Sequence, residues 1–155
     1  EAYDYILIDC PPSLGLLTVN ALTAADYLLI PTMAETFAAS GITQLYDTYR
    51  SVKKYTNPDL QIDGVLLTRT ERTKVTRTIQ ELTEKIAEYM GADVYRTTIR
   101  NNVIIKEAQA VQENVFDYIE SKAQTKGERV SEASRNFVND CLNFVKEFVE
   151  KEREQ

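Results

Sequence analysis

The distribution of apolar residues predicts four strands. Residues 5–8 and 27–30 are continuous apolar runs, which are typical of strands buried on both faces of a parallel sheet. Residues 60–68 and 94–99 are the other two predicted strands. Pro11 and Pro12 follow the first run, and Pro31 follows the second. Because proline has no N–H to donate to a ladder, we expect both strands to stop at these prolines.

Apolar residues at three- and four-residue spacing predict helices between and after the strands. The predicted helices cover residues 13–22, 36–55, 75–90, 104–112 and 128–151. Gly91 is the expected C-cap of the third helix, and the polar residues 121–127 predict a loop. Two apolar columns on the last helix predict a wide buried stripe: Phe137, Cys141, Phe144 and Phe148, and Val138, Leu142, Val145 and Val149.

Strands that alternate with helices predict an α/β fold with a parallel sheet flanked by helices and right-handed crossovers. The length of 155 residues suits one domain. An apolar content of 43% is sufficient for a core. We find neither internal repeats nor a low-complexity linker.

Composition excludes several kinds of chemistry. The net charge of −6 provides no global positive field, so any contact with DNA must come from a local basic patch. The sequence has no histidine, which excludes a Ser-His or Cys-His pair within the chain and makes zinc a poor candidate. Cys10 and Cys141 are far apart in the sequence and are expected to be reduced thiols.

Polar residues follow the predicted strands. Asp9 ends the first strand, Thr68 ends the third, and Arg100 and Asn101 follow the fourth. The carboxyl ends of parallel strands meet at one edge, where α/β sheets bind ligands. A hydrophobic strand that ends in Asp is the general form of a P-loop protein's Mg²⁺-binding motif. The alternative is an Asp that only caps the helix beginning near Ser13.

The segment from Asp4 to Leu22, with Asp9-Cys-Pro-Pro12 at its centre, resembles the ParA/Soj family of partition ATPases. This family belongs to the deviant P-loop ATPases, which include MinD. The resemblance weakens after Asp117. Before that point it continues through Ala24-Ala-Asp26, Leu29-Ile-Pro31, Gly64-Val-Leu-Leu-Thr68, Asn102-Val103 and Glu107-Ala108.

The resemblance implies a three-layer P-loop NTPase sandwich of the SIMIBI-like type, with ATP and Mg²⁺ as cofactors. It implies that Asp9 contacts Mg²⁺ through water and that Pro11 stiffens the adjacent segment. The loops at Thr68, Arg100 and Asn101 would surround the adenine base. The usual family string Ile-Pro-Arg-Asn-Val-Arg is replaced here by Ile-Arg-Asn-Asn-Val-Ile at residues 99–104.

The resemblance also implies the biological setting. It implies a homodimer that binds DNA nonspecifically, a ParB-like centromere-binding partner, and a cytoplasmic, nucleoid-associated protein without membrane attachment. Two alternatives are a non-catalytic ParA-like interaction module and a MinD-like membrane-associated regulator. The last helix has a polar face rich in Glu, which anionic lipid would repel, so we expect it to pack against the core.

The family's phosphate loop, of the Gly-Gly-x-Gly-Lys-Thr type, does not occur in the sequence. We therefore expect residues 1–155 to be the C-terminal part of a single nucleotide-binding domain, with its first strands and phosphate loop upstream. We expect no ATP turnover by this chain alone. The uncovered sheet edge predicts self-association of the isolated chain.

A basic segment follows the third predicted strand and is relieved only by Glu71. Such a cluster in an acidic chain predicts phosphate contacts with DNA. Arg72-Thr73 resembles a family Arg-Thr pair whose arginine binds DNA nonspecifically. The alternative is a solvated helix start, where cations are mildly unfavourable. The candidate DNA-binding residues are Arg69, Arg72, Lys74, Arg77, Arg96 and Lys106.

Overall fold

The computed structural model describes residues 3–35, 38–71, 73–125 and 129–154. Over these residues strands and helices alternate in the first half, and helices alone follow in the second. The elements are α1 (Leu16–Ala24), β1 (Tyr27–Met33), α2 (Ala38–Tyr55), β2 (Gln61–Thr68), α3 (Lys74–Met90), α4 (Ile104–Ala110), α5 (Val115–Gln124) and α6 (Glu132–Glu154).

The two strands pair in parallel, with Tyr27 opposite Gln61 and Met33 opposite Thr68. An extended segment at residues 93–100 continues the sheet along the other edge of β2. Its isolated bridges, Val65 with Val94 and Thr70 with Arg100, are also parallel. The predicted α/β class with a parallel sheet and flanking helices is therefore confirmed.

The core lies between the sheet and helices α2 and α3. Ile30 and Val65 from the strands pack with Ile42 of α2 and Ala87 and Met90 of α3. A second cluster joins α1 and α2 through Leu22, Tyr49, Val52 and Leu60. This packing holds β2 in place, and the candidate site lies at the carboxyl end of that strand.

Local capping explains two helix boundaries. The Thr73 side chain accepts a hydrogen bond from the Thr76 N–H at 3.1 Å and so starts α3. Gly91 ends α3 in the left-handed conformation with φ of 67°, as predicted for a C-cap glycine. Asn114 caps α5 by accepting from the N–H groups of Phe116 and Asp117.

The predicted strand at residues 5–8 is wrong for this chain. The segment has no regular secondary structure, and Ile6 and Leu7 are 83% and 86% exposed. A strand needs a neighbour to satisfy its N–H and C=O groups, and the described residues provide none beside this segment. Its ring contact is between Tyr5 and Phe148 of α6, whose centroids are 5.5 Å apart.

The predicted stop at Pro31 is also wrong, because β1 runs through Pro31 to Met33. Among the described residues β1 pairs only with β2, and proline is tolerated in a strand with an open edge. Tyr27 and Met33 at its ends are 39% and 44% exposed. The predicted self-association of the chain stays a prediction.

Three predictions in the second half need correction. Residues 94–99 form the extended segment with isolated bridges rather than a regular strand. Helix α5 occupies residues 115–124, so the predicted loop begins only at Thr125, and residues 126–128 lie outside the described part. The second apolar column of α6 is not a buried stripe, since Leu142 and Val145 are 48% and 53% exposed.

Gly64 leaves no room for a side chain. A Cβ at this position would lie 2.9 Å from Tyr95 Cε2 and 3.2 Å from the Asp93 carbonyl oxygen. We expect Gly64→Ala to lower the free energy of unfolding by about 1–3 kcal/mol through overpacking. Gly41 in α2 is the matched control, because nothing lies within 4 Å of its added Cβ.

Gly41→Ala is expected to raise stability by about 0.5–1 kcal/mol, since alanine is the better helix former. Urea unfolding of both variants measures the two effects. Equal effects of the two substitutions would show that the contact with residues 93–95 does not restrict position 64.

Candidate nucleotide-binding edge of the sheet

The carboxyl edge of the sheet gathers three polar loops. At the end of β2 the Thr68 hydroxyl donates to the Thr32 carbonyl oxygen at 3.1 Å, which ties β2 to β1. The Ala34 N–H donates to the Thr68 carbonyl oxygen at 3.3 Å. Arg69 then takes a positive φ of 51°, so the chain turns sharply as it leaves the strand.

The loop after β2 is bonded to the loop after residues 93–100. The Thr70 N–H donates to the Ile99 carbonyl oxygen at 3.1 Å, and the Asn101 N–H donates back to Thr70 at 3.1 Å. The Asn101 amide also donates to Glu71 Oε1 at 3.3 Å. The structure thus places the loops of Thr68, Arg100 and Asn101 at one edge, the arrangement that the strand ends indicate.

Arg100 is engaged by a residue that sequence reasoning missed. Its Nε and Nη2 donate to Asp140 Oδ2 and Oδ1 at 2.5 and 2.9 Å, and its backbone N–H donates to Oδ2 at 3.2 Å. The hydrogen bond with Asp140 raises the pKa of the Arg100 guanidinium. The sequence did contain a signal for this contact. Asp140 lies between Phe137 and Phe144 on the apolar side of α6, and a buried charge requires a partner.

Helix α6 also provides hydrogen-bond acceptors for backbone N–H groups along the free edge of residues 93–100. The N–H groups of Arg96 and Thr97 donate to Glu147 Oε1 and Oε2 at 2.7 and 2.9 Å. One turn later the Lys151 ammonium donates to the Asp63 carbonyl oxygen. Phe144 packs edge-on against Tyr95, with ring centroids 5.1 Å apart. Helix α6 therefore packs along the edge of the sheet, and the two core clusters described above contain none of its residues.

The pKa of the Glu147 carboxyl is lowered. Burial alone would raise it, but hydrogen bonds from Thr97 and Arg96, with the charge of Arg96, favour the ionised form and win. This stabilisation is complete above the ordinary glutamate pKa, about 4.3, and is lost as the pH falls through the lower folded-state pKa.

We therefore expect Glu147→Gln to destabilise the chain at pH 7 and to have a smaller effect once the pH has fallen below the lowered folded-state pKa, where the carboxyl is protonated. Glu150→Gln on the exposed side of α6 is the control and should show no such pH dependence. Urea unfolding of both variants at the two pH values measures the change in the free energy of unfolding. A Glu147→Gln effect of equal size at both would mean that its charge does not stabilise the edge.

Asp9 lies on the exposed segment without regular secondary structure, together with Pro11. With the other described residues it forms neither a hydrogen bond nor an ion pair, so the structure does not join it to the loops of Thr68 and Arg100. No group of three or more acidic, Cys or His residues in the described ranges is arranged to hold a metal. The role of Asp9 toward Mg²⁺ stays a prediction.

The predicted DNA-binding residues are distributed over several elements. Arg69 Nη1 lies 3.0 Å from Met33 Sδ and 3.8 Å from Glu35, while Lys74 and Arg77 are exposed in the first turn of α3. Arg96 borders a groove with acidic residues of α3, Glu84 and Glu88. Lys106 is exposed on α4, and Arg72 lies outside the described residues.

None of the helices in the described ranges is both long and apolar enough to cross a membrane. The parallel sheet, its flanking helices and the loops gathered at its carboxyl edge define an α/β domain of the P-loop NTPase type. A solved structure of cobyrinic acid a,c-diamide synthase from Mycobacterium smegmatis, with bound ATP analogue and magnesium, is similar. It aligns with a TM-score of 0.53 and 38% identity over 61% of this chain and 37% of that chain.

Sequence comparison agrees with the fold. An AAA domain family model matches residues 1–62. The sporulation initiation inhibitor protein Soj of Bacillus subtilis is 49% identical over 108 residues, 70% of this chain and 42% of that protein. The chromosome partitioning protein ParA of Myxococcus xanthus is 42% identical over 122 residues, 77% of this chain and 42% of that protein.

The chain belongs to the ParA/Soj family. The ParA of Caulobacter vibrioides is 41% identical over 116 residues, 75% of this chain. The match covers 43% of the Caulobacter protein and 42% of the other two, so this chain spans well under half the length of these relatives.

Proposed function

We propose that this chain is a portion of an ATP-dependent partition ATPase, which binds Mg-ATP at a homodimer interface and DNA nonspecifically. The phosphate loop would come from residues upstream of those printed. The observation that carries the proposal is the convergence of the Thr68–Thr70 and 98–101 loops at one sheet edge, in a chain that carries Asp9-Cys-Pro-Pro12. Family membership and the match to an enzyme with bound ATP analogue and magnesium support it.

The residues fit a magnesium ion that keeps most of its water and phosphate ligands. Mg²⁺ in nucleotide sites is bound by one or two carboxylates together with substrate oxygens, and Asp9 offers one exposed carboxylate. In this proposal Asp9 would orient the metal's water and Pro11 would limit movement of the segment. Bound Mg²⁺ would neutralise charge on the triphosphate.

The adenine base would lie against the loops of Thr68 and Asn101. The backbone of each loop is bonded to a neighbouring loop, which limits its movement. A contact between Arg100 and the base would compete with the bidentate ion pair to Asp140. Recognition of the base by uncharged polar groups is therefore the arrangement that this edge supports best.

DNA would contact the first turn of α3 and the adjoining loop. Lys74 and Arg77 lie there with exposed side chains, and neither forms an ion pair with a described residue. A partition protein that binds a ParB-like partner would use a further surface. We propose such a partner from the family alone.

The DNA contact predicts a change in salt dependence. In the full open reading frame with ATP, we expect Lys74→Ala to weaken binding to unrelated DNA sequences uniformly. It should reduce the slope of log affinity against log salt by about 1, the value for one lost phosphate contact. Lys85→Ala is the matched control, because it removes one exposed lysine from the same helix.

Fluorescence anisotropy at several salt concentrations makes the measurement. Equal slopes for Lys74→Ala and Lys85→Ala would refute the assignment of the patch to the first turn of α3. Loss of DNA binding only on selected sequences would refute nonspecific phosphate recognition.

The second candidate function is a non-catalytic interaction module. The exposed apolar residues 5–8 and the open edge of β1 favour it, because both are surfaces on which another chain can pair. ATP hydrolysis by the full open reading frame excludes this candidate, and its absence despite tight dimer formation supports it.

A further inference from the structure

Asp140 is placed to control the loop that follows residues 93–100. It lies on α6, outside the elements that form the sheet, and it is 9% exposed as a whole residue. Its two carboxylate oxygens accept three hydrogen bonds from one residue, two from the Arg100 side chain and one from the Arg100 backbone. Charge-assisted bidentate pairs fix orientation as well as distance. Asp140 on α6 is therefore one of the contacts that hold the backbone of Arg100 in position.

The other side of the same loop is bonded to the loop that follows β2. Thr70 and Arg100 form a parallel bridge, and the Asn101 N–H donates to the Thr70 carbonyl oxygen at 3.1 Å. Asn102 Oδ1 accepts from the Ile104 N–H at 2.9 Å, which links the loop to the start of α4. The loop is thus attached on three sides, and Asp140 is the attachment made by a side chain of α6.

We propose that Asp140 is a positioning residue for the nucleotide: it holds the loop of Arg100 and Asn101 so that Asn101 faces the base, while Arg100 serves the loop and not the ligand. The proposal rests on the proposed function, because the ligand is the adenine nucleotide assigned there. It adds α6 to the elements that determine nucleotide affinity.

A matched pair of variants separates this role from general stability. Asp140→Asn and Glu107→Gln each convert the carboxylate of an ion pair into an amide, and each raises the net charge by one. The Glu107 partner is Lys122, 2.8 Å away, so this pair joins α4 to α5 and not α6 to the sheet edge. Both variants are compared in the full open reading frame, with thermal melting recorded for each.

We expect Asp140→Asn to weaken Mg-ATP binding about tenfold, the scale of one lost hydrogen bond to the ligand. Glu107→Gln should leave the affinity within about twofold, as for a surface ion pair. Amide hydrogen exchange at Arg100 and Asn101 should accelerate in Asp140→Asn alone. Unchanged affinity in Asp140→Asn would overturn the positioning role.

The exchanged pair Arg100→Asp with Asp140→Arg distinguishes positioning from direct contact. If Arg100 serves only the loop, the exchanged pair should bind Mg-ATP more tightly than Arg100→Asp alone. If the exchanged pair is no better than Arg100→Asp, Arg100 itself touches the nucleotide and the proposal is wrong. Failure of the unsubstituted protein to bind Mg-ATP would refute the proposed function, whereas hydrogen exchange would still report whether Asp140 holds the loop.

Discussion

Replacing Asp9 with alanine in the full open reading frame is expected to lower ATP hydrolysis by about 100-fold, the loss typical of one group that stabilises developing charge. The expectation follows from the proposed role of the carboxylate, which is to orient water on a magnesium ion bound to the triphosphate. In the 155-residue chain Asp9 is exposed and bonded to no other described residue, so its removal should leave the free energy of unfolding of that chain nearly unchanged. Phosphate release and urea unfolding measure the two quantities.

Asp4→Ala is the matched control for this experiment. Asp4 lies in the same exposed segment and carries the same charge. It should therefore keep the hydrolysis rate within about twofold, as expected for a surface substitution away from the site. Equal rates of ATP hydrolysis for Asp9→Ala and the unsubstituted protein would show that Asp9 does not act at the proposed magnesium site.

Leu67→Ala is expected to lower the free energy of unfolding by about 2–5 kcal/mol. Leu67 is 0% exposed in β2, and its carbonyl oxygen accepts from the Ile99 N–H at 2.9 Å. The substitution leaves a cavity in the strand that ends at Thr68. It should therefore loosen both the core and the strand end that carries the candidate site. Urea unfolding of the chain as printed measures the loss.

Leu7→Ala is the control for the cavity. Leu7 is 86% exposed, so in the chain as printed its truncation should change stability by less than about 0.5 kcal/mol. In the full open reading frame we expect the same substitution to cost about as much as Leu67→Ala, because upstream strands would bury residues 5–8. A large cost in the printed chain would show that this segment is packed already.

Sequence pattern predicted the elements whose partners lie nearby in the chain. The helical spacing of Ile79 and Met90, with Gly91 after them, placed α3 within one residue of its observed ends. The apolar centre of β2 placed that strand equally well, because β1 and α2 come directly before it and supply its cover. In these elements local propensity and long-range packing agree.

The incorrect predictions have one physical cause: whether a segment is buried depends on which other segments lie beside it. The run at residues 5–8 reads as a central strand, yet the described chain provides no neighbouring strand for it. Pro31 reads as a stop, yet within the described part of the chain one edge of β1 has no neighbouring strand and tolerates proline. Leu142 and Val145 read as core, yet α6 meets the sheet edge with Asp140, Glu147 and Lys151 and leaves those two exposed.

The candidate site was predicted only as far as strand ends allow. Thr68 and Asn101 were placed at one edge because parallel strands end together. The partner of Arg100 was not predicted, since Asp140 lies 40 residues away and pairs only through tertiary packing. The spacing of residues along the sequence does not predict which residue pairs with Arg100.

The most direct test of the nucleotide site is a crystal structure of the full open reading frame with Mg²⁺ and a non-hydrolysable ATP analogue. A water-mediated contact would place Asp9 about 4 Å from the metal, as the ligand distances of Mg²⁺ and one hydrogen bond require. The base would lie against Thr68 and Asn101. Nucleotide bound at the opposite edge of the sheet, or metal bound without Asp9 nearby, would contradict the account.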